Sequence, residues 1–206
     1  MNFLAHLYLS GDSEGLRIGN FIGDYVKGRK HHDYPTEIQN GILLHRRIDT
    51  FTDQHPITRG HKKYFSKKFS RYSGVVVDLL YDHFLAARWN DLSAGESLHT
   101  FVHKIYDILL RHYYQIPSRV QGFLPYFVLF NWLENYAYLS GIKRAIQRLG
   151  SRTAIPQEQD YLEDIVNPHY EKIYNEFLEF FYEVCRMVEV QEIGVNLTPK
   201  MKFPGL

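Results

Sequence analysis

GVVVDLLYDHFLAARW, residues 74–89, decides the fold class. Between Gly74 and Ala87 nearly every side chain is apolar, the exceptions being Asp78, Asp82 and His83. A helix that is apolar on most of its faces lies inside a protein, wrapped by other helices. Outward from this segment, helical periodicity dominates, and clean two-residue alternation bounded by turn residues is nearly absent. The pattern predicts helices near 2–10, 16–27, 35–54, 56–69, 74–90, 95–114, 119–133, 134–149 and 157–189. Pro35 and Pro56 suit first-turn positions, where the missing N–H is no loss. Breaks containing glycine at 11–15 and 93–95 fit short loops between helices. The expectation is an all-α, single-domain helical bundle over residues 1–192, with a weakly ordered tail at 193–206.

Composition narrows the function classes. The chain has 206 residues, of which 45% are hydrophobic and 23% charged, an ordinary globular balance that excludes disorder for most of its length. A single cysteine, Cys185, excludes an intramolecular disulfide, a zinc ribbon and a redox pair. It falls on the apolar side of the last helix, as a buried small hydrophobe would. The longest apolar run, 122–133, is broken by Pro125 and Asn131 and falls short of a membrane span. The opening MNFLAHLYLSGDSEG has neither a basic n-region nor a small-residue cleavage site, so a cytoplasmic protein without a membrane partner is expected. The net charge of +1 hides an asymmetry: residues 27–71 carry eleven Lys/Arg against four Asp/Glu, and residues 157–192 carry ten Asp/Glu against two Lys/Arg. One face is therefore suited to an acidic partner. The basic segment lacks the aromatics and RNA-binding signatures of nucleic-acid recognition, so no nucleic acid is expected.

Three segments concentrate charge where apolar residues dominate. Asp78 and Asp82 are four apart and share a helical face, with His83 about 100° round. Two arrangements satisfy them: a divalent metal, or an Asp–Arg pair bridging helices with His83 hydrogen-bonded in the core. In GILLHRRIDTFTD, residues 41–53, His45 and Asp49 share a face at the edge of the row Leu44, Ile48 and Phe51. A bundle interior can hold a metal at such an edge, and Arg46 and Arg47 beside it can grip phosphate oxygens; an i,i+4 surface pair beside solvated arginines fits the same spacing. In LRIGNFIGDYVKGRK, residues 16–30, Asn20 and Asp24 share a face, and Gly19 and Gly23 each cost about 1 kcal/mol in a helix interior. That paired cost points to close approach by another backbone or a substrate. A further row, Glu96, His99, His103 and Asp107, looks like a metal face but lies opposite the apolar row of its helix, so it reads as solvated.

MNFLAHLYLS, GNFIGDYVKG, HRRIDTFTD and DLLYDHFLAARW, in this order and spacing, resemble the acyl carrier protein phosphodiesterase family. That family is similar to HD-type phosphohydrolases, so the resemblance implies an HD-like all-α architecture. It further implies metal-dependent hydrolysis of the phosphodiester joining 4′-phosphopantetheine to the serine of holo-acyl carrier protein, with Mn²⁺ or Mg²⁺ as cofactor. The residues carried over are His6, Asp24, His45, Arg46, Arg47, Asp49, Asp78, Asp82 and His83. Tyr8 stands where the family often has a second histidine. On this basis Asp24, His45, Asp82 and His83 are expected to hold the metal, with His6 and Asp78 as further ligands. Asp49 is expected to act with them, and Arg46, Arg47 and Lys27 to bind phosphate. Lys27, Arg29, Lys30, Arg47, Lys62, Lys63, Lys67 and Lys68 are expected to form a basic rim for the acidic carrier protein. Two competing readings are an HD-type hydrolase of a nucleotide or other small phosphodiester, and a carrier-protein binder without activity.

Overall fold

The computed structural model describes residues 1–93, 95–150, 153–156 and 160–190. These form twelve α-helices joined by short 3₁₀ turns, with no strand among the described residues. The chain is an all-α bundle. In order the helices are α1 Phe3–Tyr8, α2 Glu14–Ile22, α3 Thr36–Gln54, α4 Pro56–Phe69, α5 Ser73–Ala87 and α6 Trp89–Leu92. They continue with α7 Leu98–Arg111, α8 Ser118–Gln121, α9 Leu124–Leu129, α10 Trp132–Asn135, α11 Leu139–Gly150 and α12 Asp160–Val190. The tail at 193–206 lies outside the described residues, as does the residue 192 boundary.

The apolar helix α5 runs through the middle, packed by α1, α4, α11 and α12. Val76, Val77, Leu80, Phe84 and Leu85 are fully buried, and the rings of Tyr81 and Phe84 meet Phe177 of α12 at 5.1 and 5.5 Å. The strongly amphipathic α7 covers one side with Phe101, Val102, Ile105 and Leu109 turned inward. Among the described residues no helix is long and apolar enough to cross a membrane.

Two differences from the expected elements have local causes. Residues 119–133 do not form one helix: Gly122 follows α8, Pro125 opens α9, and Asn131 takes a left-handed φ of 46° before α10. Asn131 tolerates that conformation, and its Oδ1 accepts from the Tyr106 hydroxyl at 3.0 Å. The helix beginning at α2 ends at Ile22 and tightens into a 3₁₀ turn over Gly23–Tyr25, which swings Asp24 out to solvent.

The tightest packing joins α2 to α3. A Cβ added at Gly41 would lie 2.8 Å from the Gly19 Cα and 3.0 Å from the Asn20 N, so the two backbones touch. Gly23 does a different job: any side chain there would enter the space of the His45 ring. Both glycines singled out in the sequence thus mark close approach, one to a backbone and one to an imidazole.

Candidate metal centre

Three elements converge where α2 meets α3. His6 comes from α1, Asp24 from the 3₁₀ turn after α2, and His45 and Asp49 from successive turns of α3. The imidazoles of His6 and His45 stack at 4.2 Å between centroids, inclined by 24°. Each directs its Nε2 at a different oxygen of Asp49: His6 at Oδ1 and His45 at Oδ2, both at 3.1 Å. Asp24 Oδ1 stands 3.6 Å from His45 Nε2. Both histidines are buried, whereas Asp49 is 38% exposed and Asp24 69%, so the group opens on the carboxylate side.

Asn20 sets both rings. Its amide nitrogen donates to the His6 carbonyl at 2.7 Å and to Ser10 Oγ at 2.9 Å, which fixes the amide orientation. Its Oδ1 then accepts from His6 Nδ1 at 2.7 Å, and its own backbone carbonyl accepts from His45 Nδ1 at 2.9 Å. Both Nδ1 atoms therefore carry hydrogen, and both Nε2 atoms face the carboxylates. This role of Asn20 was not read from the sequence, although its position one turn before Asp24 on an apolar helix was a usable signal.

The electrostatics are lopsided. Burial lowers the pKa of His6, and the neighbouring His45 adds to that. Burial also opposes charge on His45, but the carboxylates of Asp24 and Asp49 more than offset it and raise its pKa to about 9. Burial would raise Asp49, but the imidazoles of His45 and His6 against its two oxygens hold it well below the usual carboxylate range. His6 Nε2 faces two oxygens, Asp49 Oδ1 at 3.1 Å and the Met1 carbonyl at 3.2 Å. His45 Nε2 is buried without a hydrogen bond of adequate geometry. Oxygens crowded against both Nε2 atoms, and one of those nitrogens buried without a hydrogen bond, are what a cation would resolve. The ligand atoms of His6, His45 and Asp49 all lie within 4.8 Å of one another, so the residues present fit a divalent metal.

The carboxylates of α5 are used otherwise. Asp82 is fully buried, and its oxygens accept from the backbone N–H groups of Leu4 at 2.7 Å, Ala5 at 3.1 Å and Asn2 at 3.2 Å. It caps the N-terminus of α1 from across the bundle, where helices leave N–H groups without internal partners. Burial pushes its carboxyl up to about 7 against the pull of those donors. Asp78 Oδ1 lies 2.9 Å from the amino group of Met1. His83 Nδ1 donates to the Tyr136 carbonyl at 2.9 Å, and its Nε2 pairs with the Tyr170 hydroxyl at 3.0 Å. Asp78, Asp82 and His83 belong to neither of the metal-compatible groups among the described residues. The expectation that Asp82 and His83 stand beside His45 is corrected on that geometry: backbone N–H groups take up Asp82, and a carbonyl and a hydroxyl take up His83, rather than a metal or an arginine.

The phosphate-binding candidates divide. A cleft of about 270 Å³ beside His45 and Asp49 is lined by Asp24, Lys27, Arg46 and Thr50. Lys27 is exposed at its edge. Arg46 Nη2 donates to the carbonyls of Val26 at 2.8 Å and Gly28 at 2.9 Å, pinning the loop that carries Lys27. Arg47 is half-buried and does not line this cleft. Tyr8 packs against Trp89 at 5.4 Å, in the aromatic core. Cys185 is 6% exposed, and burial pushes its thiol up, as befits an inert core residue.

The exposed row on α7 separates into ordinary surface pairs. Glu96 meets Lys104 at 2.8 Å, and Asp107 meets Arg111 at 2.9 Å. His99 and His103 flank Glu134 at 2.9 and 3.7 Å, forming the second metal-compatible group, exposed rather than set in a cleft.

Fold and centre together define an all-α protein with a His/Asp group at a helix junction that could hold a metal ion. The family model for acyl carrier protein phosphodiesterase matches residues 1–184, and the chain belongs to that family. It is 33% identical to the acyl carrier protein phosphodiesterase of Yersinia pestis over 193 residues, 94% of this chain and 100% of that one. It is 32% identical to the Pectobacterium atrosepticum protein of the same name over 194 residues, again 94% of this chain and 100% of the relative. No solved structure matches the chain.

Proposed function

We propose that the chain is a metal-dependent hydrolase that cleaves 4′-phosphopantetheine from the serine of holo-acyl carrier protein, leaving the apo-protein. The observation that carries the metal dependence is the buried, unsatisfied His45 Nε2 facing Asp24 and Asp49 beside a cleft with a lysine at its mouth. Family membership supports the substrate, since the relatives are named for this activity. His6, His45, Asp49 and Asp24 are the residues that would hold the cation. A donor set of two imidazoles and two carboxylates suits Mn²⁺ better than Mg²⁺, which prefers carboxylate and water oxygens. A cation bound there activates water and offsets charge on the non-bridging phosphate oxygens.

The remaining chemistry belongs to the chain. Asn20 holds both rings by their Nδ1 atoms with Nε2 toward the carboxylates, so neither ring reorients during turnover. Asp49, in contact with both histidines, holds the centre together. Lys27 draws phosphate to the cleft, and Arg46 keeps its loop in place. Asp78, Asp82 and His83 serve by fixing α1 and α5. Lys27, Arg29 and Lys30 form the part of the basic segment that borders the cleft and would meet the acidic carrier protein. The likeness to HD-type phosphohydrolases is part of this reading, supported by the all-α scaffold and the His/Asp donors, and a cytoplasmic location is proposed with it.

The test is to incubate the protein with holo-acyl carrier protein, with Mn²⁺ or with chelator, and to weigh the carrier afterwards. The expected result is conversion to the apo mass with Mn²⁺ only. Full conversion by the chelated protein would remove the metal, and hydrolysis of small phosphodiesters alone would favour a small-molecule hydrolase.

A further inference from the structure

A second cavity, of about 500 Å³, lies on the other side of Asp24. It is in the size range of ligand sites rather than packing defects. Its walls are aromatic, built from Tyr25, Phe123, Trp132 and Tyr136, and Arg148 lays its guanidinium over Trp132 at 3.9 Å. Asn2 and Asp78 add polar groups on the α1 and α5 side. At the rim Tyr126 and Phe130 are 58% and 59% exposed, an unusual state for large rings on a soluble surface. Asp24 is a wall of both this cavity and the polar cleft at His45.

A phosphodiester has two substituents, and the cleft at His45 is lined mostly by charged and polar residues, among them Asp24, Lys27, Arg46, Asp49 and Thr50, which suit the phosphate better than an apolar substituent. One substituent must leave toward solvent, where a protein can be accommodated. The other has an aromatic chamber beginning at the same carboxylate. Resting on the phosphodiesterase reading above, we propose that this cavity is the binding site for the pantetheine arm, with its thiol or thioester end deepest among Trp132, Tyr136 and Arg148. The arm alternates methylene and gem-dimethyl groups with two amides. Apolar walls carrying a few hydrogen-bonding groups match that chemistry, whereas a carrier-protein helix is too wide for a chamber of this volume.

The probe is S-acetyl-pantetheine, which has no phosphate and so reports on the cavity independently of the metal centre. It should change the fluorescence of Trp132 and saturate, since Trp89 is buried against Tyr8 and Phe101 instead. Val75→Phe on α5 and Ala145→Phe on α11 fill the cavity from two sides and should raise the probe Kd by about tenfold or more. The KM for holo-carrier protein should rise in parallel. Phe130→Ala, at an exposed position that the fold does not need, should weaken binding severalfold with an unchanged melting temperature. Absence of saturable quenching in the wild type, or equal affinity in all three variants, would overturn the assignment. So would saturation by adenosine in place of the probe, which would mark a base-binding pocket. Cleavage of holo-carrier protein with KM unchanged in the filled variants overturns the cavity alone. Intact, variant-sensitive probe binding without any cleavage supports the cavity and overturns the reaction.

Discussion

His45 carries a proton that a metal must displace. An ordinary histidine titrates near about 6.5, and Asp24 and Asp49 hold this one up to about 9. A raised value in the folded state means that the proton stabilises the metal-free fold fully below about pH 6.5, a contribution lost as pH rises through 9. The melting temperature of the chelated protein should therefore fall between about pH 7 and pH 9.5, and His45→Ala should flatten that part of the curve. Mn²⁺ affinity should climb over the same window, with close to one proton released per ion near pH 7; calorimetry in buffers of different ionisation enthalpy measures it. Binding without proton release would place the ion elsewhere. At the same scale, Asp49→Ala and His45→Ala should act mainly on turnover, lowering kcat/KM by a factor of about 10³ in protein still folded at the assay temperature. Asp82→Ala should do the reverse: it strands three N–H groups, a loss of about 3 kcal/mol and roughly 6–12 °C in a chain of this size. Asp82→Asn keeps a neutral acceptor and should cost less, which a pair of thermal melts decides.

Between elements, the decisive contact is the glycine pair where α2 lies on α3. Gly19→Ala or Gly41→Ala meets backbone, which cannot step aside, and should destabilise by about 1–3 kcal/mol. Gly23→Ala meets the His45 ring instead, so its loss should appear in activity and Mn²⁺ affinity more than in melting temperature. Much of this was legible in sequence. The spacing of His45 and Asp49, the GD dipeptide before a basic loop, and two glycines four apart all announced a crowded, charged junction. What the sequence could not display was the satisfaction of Asp82 by the N-terminus of α1, because backbone N–H groups are present at every residue and carry no signature. His83 was misplaced for a related reason: its partners are a carbonyl and a hydroxyl from distant turns. The motif on α5 matters all the same, since the helix it anchors is the one that bears His6. The broken stretch from α8 to α10 followed from a proline and a left-handed asparagine, both visible in the sequence and both underweighted against its apolar run.

Across the whole molecule, charge and metal act together. Reversing Lys27, Arg29 and Lys30 to Glu should lower kcat/KM on the acidic carrier protein, with the loss shrinking as salt screens the pair over about 8 Å at physiological strength. A loss independent of salt would mean that these charges hold the loop rather than steer the partner. Occupancy of the centre should also raise the melting temperature of the whole chain in step with Mn²⁺ concentration, because an ion held by His6, His45 and Asp49 would tie α1 to α3. The contact of α2 with α3 has one more consequence, for the order of events in time. Its geometry is set by main chain against main chain, and Asn20 locks both imidazoles from the side away from solvent. The ligands are thus in position before any ion arrives. Loading should be a single fast phase, linear in Mn²⁺ concentration, with no slower rearrangement behind it in stopped flow, and stripping the ion should leave a protein that reloads at the same rate.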